Sequence, residues 1–128
     1  MTSVRRGRPG SPSRTVRSRK GSGTTADERL LAQIAATVRR VVPGAEVIVF
    51  GSRARGEADP ESDWDVLVLV DEPATPALYD RIHRPLYGLG LANDMVISLI
   101  VQDRRAWESP AVRASPLYRN VRREGRWL

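Results

Sequence analysis

Residues 50–70 read FGSRARGEADPESDWDVLVLV. The stretch leaves one apolar run, Glu46-Val-Ile-Val-Phe50, and enters another, Trp64 to Val70, through a polar loop. Both runs are short, apolar and rich in β-branched residues, which predicts two buried strands. A plain connection needs only turn residues. This one has Gly51-Ser52 directly after the first strand and Asp63-Trp64-Asp65 at the mouth of the second, with ten residues between Ser52 and Asp63.

That spacing has a chemical reading. In a strand, residues i and i+2 face the same side, about 7 Å apart. Asp63 and Asp65 therefore point together, and Trp64 points away into the core. Two neighbouring carboxylates repel unless a cation lies between them. Mg²⁺ suits such a pair, because it is a hard ion commonly held by one or two carboxylates plus substrate phosphates. At the other end, Gly51 lets the backbone approach closely, and the amides of the following turn, with the Ser52 hydroxyl, can bind phosphate oxygens. Arg53 and Arg55 flank that turn and are candidates for neutralising a triphosphate, a solvated turn being the alternative. Phosphate at one end and a bridging metal at the other are the parts that nucleotidyl or phosphoryl transfer requires. Gly-Ser after a strand, or Asp-x-Asp at a sheet edge, is weak evidence alone; the two at this spacing are far more specific.

Outward from this stretch, the chain predicts an α/β (α+β) domain, a small mixed β-sheet flanked by helices. A helix is expected from about Ala26 to Val41, with Thr24 or Thr25 as cap and Leu30, Ile34, Val38 and Val41 as its apolar stripe. Pro43-Gly44 ends it. A second helix is expected from Thr75 or Pro76 to Tyr87, ending at Gly88 and Gly90, and a third strand over Asp94 to Val101. The C-terminal part reads as one or two short helices, one starting at Ser115-Pro116 and stopping at Gly125, with Trp127-Leu128 docking as a last strand. Asp71 reads as a turn or helix-cap residue at the far end of its strand, and Asp103 is expected at the far end of its own. His83, Trp107 and Trp127 read as packing or surface residues.

Composition narrows the function classes. The 128 residues hold 21 basic and 15 acidic side chains and no cysteine. Seven of the basic residues and none of the acidic ones fall in residues 1–25. Residues 26–128 thus hold 14 basic against 15 acidic, a net charge of −1, so the basic excess does not make the domain a nucleic-acid binder. The segment 1–25 is expected to be a disordered basic tail preceding a domain over 26–128. The tail offers a nucleic-acid contact through phosphate charge, and a solvated extension is the plainer reading. With no cysteine, disulfides and thiolate metal sites are excluded. The single His83 excludes chemistry on paired histidines. No apolar run approaches the ~20 residues of a membrane span, and the tail lacks a signal-peptide core, so no membrane and a cytoplasmic location are expected.

GSRARGEADPESDWDVLVLV closely resembles the signature of the nucleotidyltransferase superfamily, Gly-Ser-x-Ala-x-Gly followed by Ser-Asp-x-Asp. The chain is most similar to the minimal nucleotidyltransferases, and Leu117 to Gly125 is similar to their final helix. The resemblance implies that Gly51 and Ser52 hold the NTP phosphates and that Asp63 and Asp65 bind two Mg²⁺ ions. It also implies a third carboxylate on a neighbouring strand. Asp94 is the first candidate, ahead of Asp71 and Asp103, with a plain turn after Asn93 as its alternative. The reaction implied is transfer of NMP from an NTP, with ATP the expected donor, to a hydroxyl. Minimal nucleotidyltransferases further resemble the antitoxin half of toxin–antitoxin pairs, in which a HEPN-type toxin is modified on tyrosine. Rival expectations are a non-catalytic antitoxin of the same fold, an aminoglycoside-type small-molecule transferase, and an RNA acceptor reached through the tail.

Overall fold

The computed structural model describes residues 25–55 and 63–128. The expected tail over 1–25 lies almost wholly outside them, as do Glu57, Asp59, Glu61 and Ser62 of the loop. By internal contacts the chain divides into 1–30 and 31–128. In the first unit, the described residues are the start of helix α1, Ala26–Val41. Thr25 and Glu28 form a reciprocal cap. The Thr25 hydroxyl accepts from the Glu28 amide at 3.0 Å, and the Glu28 carboxylate accepts from the Thr25 amide at 3.2 Å.

In the second unit, the rest of α1 is followed by β1 (Glu46–Phe50), a one-turn helix α2 (Ser52–Arg55) and β2 (Trp64–Val70). Then come α3 (Pro76–Ala92) and β3 (Ile97–Asp103). The C-terminal part is α4 (Arg104–Trp107), α5 (Pro110–Arg113), α6 (Pro116–Glu124) and β4 (Arg126–Trp127). The four strands form one mixed sheet in the order β3-β2-β1-β4. β1 runs antiparallel to both β2 and β4, whereas β2 and β3 are parallel. A parallel pair needs a crossover, and α3 supplies it.

Alternation along the strands sorts the sheet into two buried faces. Ile48, Phe50, Leu67 and Leu69 pack with Trp107, Tyr118 and Val121 of the C-terminal helices. Val47, Val49, Trp64, Val66, Val68 and Val70 are buried on the other side. Leu31, Ile34 and Val38 of α1 and Leu78, Ile82 and Leu86 of α3 are buried as well, at helical spacing. Phe50 pairs with Asp65 and Ser98 pairs with Asp65, so Asp65 shares the face covered by α6.

Two elements depart from the pattern read in the sequence. α3 continues past Gly88 and Gly90 to Ala92. Gly90 is there for contact rather than termination, since a Cβ on it would lie 2.6 Å from the Met95 carbonyl. The Gly90 carbonyl in turn accepts from the Met95 amide at 2.8 Å. The chain thus folds tightly back under the helix, with Asp94 at φ +56 in the turn, and the third strand starts at Ile97 rather than Asp94. At the opposite sheet end, Arg104 joins three segments. It reaches Glu46 at 2.7 Å, Asp71 at 2.8 Å and the Gly44 carbonyl at 3.3 Å. Asp103 caps α4, accepting from the Arg105 amide at 2.8 Å. Both acids lie, as sequence reading expects, at the end remote from the Asp63–Asp65 pair.

The hydrogen bond from Arg104 and, less strongly, its charge hold the Asp71 carboxyl below its ordinary value of 3.8. A depressed carboxyl stabilises the fold above the unfolded-state value, and that contribution is lost as pH falls through the folded one. Asp71→Asn is expected to lower Tm slightly at pH 7 and to converge on wild type as the pH is taken below 3.8. Thermal melts across pH test this.

Candidate active site

The site is built where β1 ends and β2 begins. Gly51 follows β1 directly and takes φ +83, a left-handed conformation that glycine adopts without steric cost. A second constraint acts on the same residue. A Cβ on Gly51 would overlap the Asp65 carboxylate, meeting its Oδ2 atom. The bare Cα of Gly51 is therefore the floor on which the Asp65 carboxylate rests, and that carboxylate leans from β2 across towards β1. After Gly51 the chain enters α2.

Asp63 precedes β2 and is exposed, whereas Asp65 is half-buried. The Ser98 hydroxyl of β3, level with Asp65 in the register, donates to Asp63 Oδ2 at a long 3.4 Å. Burial first, then the charges of Asp63 and Glu124, push the Asp65 carboxyl above its ordinary value. Such a carboxyl ionises against its surroundings, and a cation beside it would reverse that penalty. Sequence reading missed Glu124, because nothing in the spacing of Gly-Ser-x10-Asp-x-Asp points to a residue 59 positions beyond Asp65.

The other candidates separate. The Arg53 guanidinium lies over the Trp64 ring, 4.4 Å from its centroid, and reaches Met95 Sδ at 3.8 Å. Since Trp64 alternates with Asp65, Arg53 braces the loop on the face opposite the carboxylates. Ser52 and Arg55 belong to α2, but their side chains lie outside the described ones. Asp94 is exposed in the turn before β3 and borders a shallow hollow with Leu91, Met95 and Val96. Beside it an apolar hollow of about 310 Å³ is lined by His83, Tyr87, Leu91, Val96 and Ile97. Tyr87, Leu91 and Val96 are all more than half exposed. His83 stacks between Tyr79 and Tyr87 at centroid distances of 5.5 and 5.9 Å, which makes it a packing residue of α3.

The donor set at the site is all oxygen, which suits a hard divalent cation such as Mg²⁺. Among the described residues no three Asp, Glu, His or Cys groups close into a cage by themselves. The coordination shell of an ion at Asp63 and Asp65 would thus be completed by substrate phosphates and water, the habit of Mg²⁺ rather than of a fully protein-bound metal. The residues present fit that ion.

A profile for the nucleotidyltransferase domain matches residues 31–109, more than half of the chain. The chain belongs to this family. Among curated relatives, it is 46% identical over 55 residues to MJ0141 of Methanocaldococcus jannaschii, a candidate protein adenylyltransferase. That match covers 43% of this chain and 56% of the relative, so the chain aligns with little more than half the relative's length. Among solved structures, a toxin–antitoxin crystal structure with AMP-PNP superposes with a TM-score of 0.56 at 21% identity. A mutant of the toxin–antitoxin pair MntA–HpeT superposes with a TM-score of 0.54 at 18% identity. Each covers 75% of this chain and 69% of the other. At these identities the likeness establishes the shared nucleotidyltransferase fold. Among the described residues, no helix is long and apolar enough to cross a membrane.

Gly51→Ala adds a strained φ and a clash with Asp65. It is expected to destabilise the fold by about 1–3 kcal/mol, measured by urea unfolding. Asp65→Asn removes a carboxylate that burial and neighbouring acids disfavour, and the expected result is a higher Tm at pH 7 in metal-free buffer.

Proposed function

We propose that the protein is a metal-dependent nucleotidyltransferase that moves NMP, with ATP as the donor, to a tyrosine hydroxyl of a partner protein. The partner is a HEPN-type toxin that the transfer neutralises, and the setting is the cytoplasm. The observation that carries this reading is the Asp65 carboxylate held on the bare Cα of Gly51 beside Asp63. A structural loop would have no use for a left-handed glycine that keeps two repelling acids together. Family membership supports the reaction class. The adenylyltransferase name of MJ0141 and the toxin–antitoxin neighbours support the protein acceptor.

In this mechanism Gly51 and the amides at the start of α2 receive the triphosphate, with Ser52 and Arg55 as the further candidates for its oxygens. Asp63 and Asp65 hold the divalent cation, one ion or two. When bound, Mg²⁺ supplies charge neutralisation for the attacking and leaving oxygens of an in-line displacement at the α-phosphorus. Asp65, already raised by burial and by its neighbours, is the carboxylate whose ionised form gains most from the cation. Ser98 orients Asp63 from the adjoining strand. Trp64 and Arg53 keep the loop seated from behind. The exposed Tyr87, Leu91 and Val96 offer a partner an apolar footing, because Val96 is level with Asp63 and its carbonyl accepts from the Trp64 amide at 2.9 Å. Asp94, at the turn beside them, is the third carboxylate that family resemblance nominates.

The test is intact mass spectrometry of a co-expressed HEPN-type partner incubated with the protein, Mg²⁺ and each NTP. Mass steps of one NMP on the partner are expected, strongest with ATP. Asp63→Asn and Asp65→Asn are each expected to reduce the rate by at least about 100-fold, since each removes a charge acting on the transition state. Tight association without any mass step would instead favour a binding module of the same fold.

A further inference from the structure

The balance of −1 over residues 26–128 hides a segregation. Residues 26–103 hold 7 basic and 13 acidic side chains, a net charge of −6. Residues 104–128 hold 7 arginines and 2 glutamates, a net charge of +5. The fold gathers much of that excess on one surface. Tyr118 and Val121 occupy the side of α6 that packs on the sheet. Arg119, Arg122 and Arg123 fall within an arc of about 100° of the same helix, at 3.6 residues per turn. With Tyr118 and with Arg113 of α5 they line a hollow of about 590 Å³, and no described acid lines it.

All four arginines are exposed. Arg119 donates to the Ala114 carbonyl at 2.8 Å, and Arg123 donates to the Asn120 side-chain oxygen at 2.8 Å, so neutral oxygens hold both. Arg123 meets a carboxylate, that of Glu124, only at 4.0 Å. The Tyr118 hydroxyl donates to the Glu108 carboxylate at 3.2 Å. Balancing the helix dipole accounts for Arg122 and Arg123 in the last turn of α6. It does not account for Arg119, which lies in the N-terminal half, where the dipole disfavours a cation. Four like charges around one hollow repel one another, and an anion among them reverses the sign of that interaction.

Exposure decides which anion. A single exposed ion pair contributes little, so a lone phosphate gains little here. A strand of phosphodiesters meets several guanidinium forks at once and releases its condensed counterions, which supplies affinity. An acidic protein partner would need an apolar interface core. Of the exposed large apolar residues, Tyr87, Leu91 and Val96 belong to α3 and the turn after it, and the remaining one is Trp127. Trp127 is 46% exposed and pairs with Ile48, hence stands on the face of the sheet that α6 covers. Its ring lies 3.1 Å from where a Cβ on Gly125 would be, at the end of α6. An exposed indole beside arginines is a platform for an unstacked base, which a duplex does not offer.

We propose that the outward face of α5 and α6, together with Trp127, binds single-stranded nucleic acid, with backbone phosphates on Arg113, Arg119, Arg122 and Arg123 and a base stacked on Trp127. Nothing in the transfer reaction requires this surface, and it lies beyond residues 31–109 matched by the family profile.

The experiment is fluorescence anisotropy of a labelled oligouridylate titrated with the full chain, in chelator and without NTP, across a salt series. Arg113→Gln with Arg122→Gln leaves residues 1–25 untouched. The double variant is expected to bind about tenfold more weakly at about 0.1 M salt, with a slope of log K against log salt smaller by about 1.4, the value for two single-strand phosphates. Trp127→Leu is expected to weaken binding at least about fivefold with no change of slope, because stacking releases no counterions. A duplex of equal length should compete less well than the single strand. Far-UV circular dichroism of each variant should match wild type, and the arginine pair carries the test if Trp127→Leu unfolds. Unchanged affinity and slope in the arginine pair would overturn the proposal and assign any binding to residues 1–25. Tighter binding of polyglutamate than of oligouridylate at equal charge would overturn it in favour of an acidic protein partner. Full displacement of the strand by pyrophosphate at equal phosphate concentration would overturn it in favour of a small-anion site.

Discussion

The Asp65 carboxylate rests on the bare Cα of Gly51, and much of the molecule is arranged so that it can. The contact requires β1 and β2 to be antiparallel neighbours in the register that pairs Phe50 with Asp65. A shift of one residue would turn Asp65 into the face lined by Val66 and Val68 and put Trp64 beside the phosphate loop. Both strands are nearly continuous in buried apolar side chains, so alternation alone specifies register weakly. The aromatic ends specify it better. Phe50 packs with Trp107 and Tyr118 on one face, and Trp64 is buried beneath Arg53 on the other.

The same contact concentrates unfavourable terms at one sheet edge. Gly51 takes a left-handed φ, and Asp65 is raised by burial and by two acids. The rest of the fold compensates with conventional interactions. Thr25, Thr75, Ser109 and Ser115 cap their helices, and Arg104 joins β1, β2 and α4 at the remote end.

The parallel pairing of β2 with β3 brings the Met95–Val96 segment alongside Asp63 and so sets an apolar, solvent-facing patch next to the acids. On the opposite flank the C-terminal helices deliver Glu124 to the β1 edge. The site is therefore bordered on one flank by exposed apolar side chains and on the other by the C-terminal helices.

Much of this was legible in the chain itself. The Gly-Ser-x10-Asp-x-Asp spacing placed Gly51, Asp63 and Asp65 at strand ends, because period-two alternation and the need for a close backbone approach are local properties. Helix caps and the turn role of Asp71 are local too. The end of α3 was not legible, because Gly90 serves a contact with Met95 that lies outside the helix and glycine looks the same in either use. The start of β3 moved for the same reason, and Asp94 moved with it into a turn. Arg53 reads equally as a phosphate ligand or a solvated turn residue, and tertiary packing lays it over Trp64. Glu124 was the least accessible residue of all: its nearness to Asp65 exists only because β4 pairs with β1 and Gly125 lets α6 close against Ile48. Local spacing determined which chemistry the loop can perform. Long-range strand pairing decided which distant side chains stand beside it, since that pairing depends on the whole sheet.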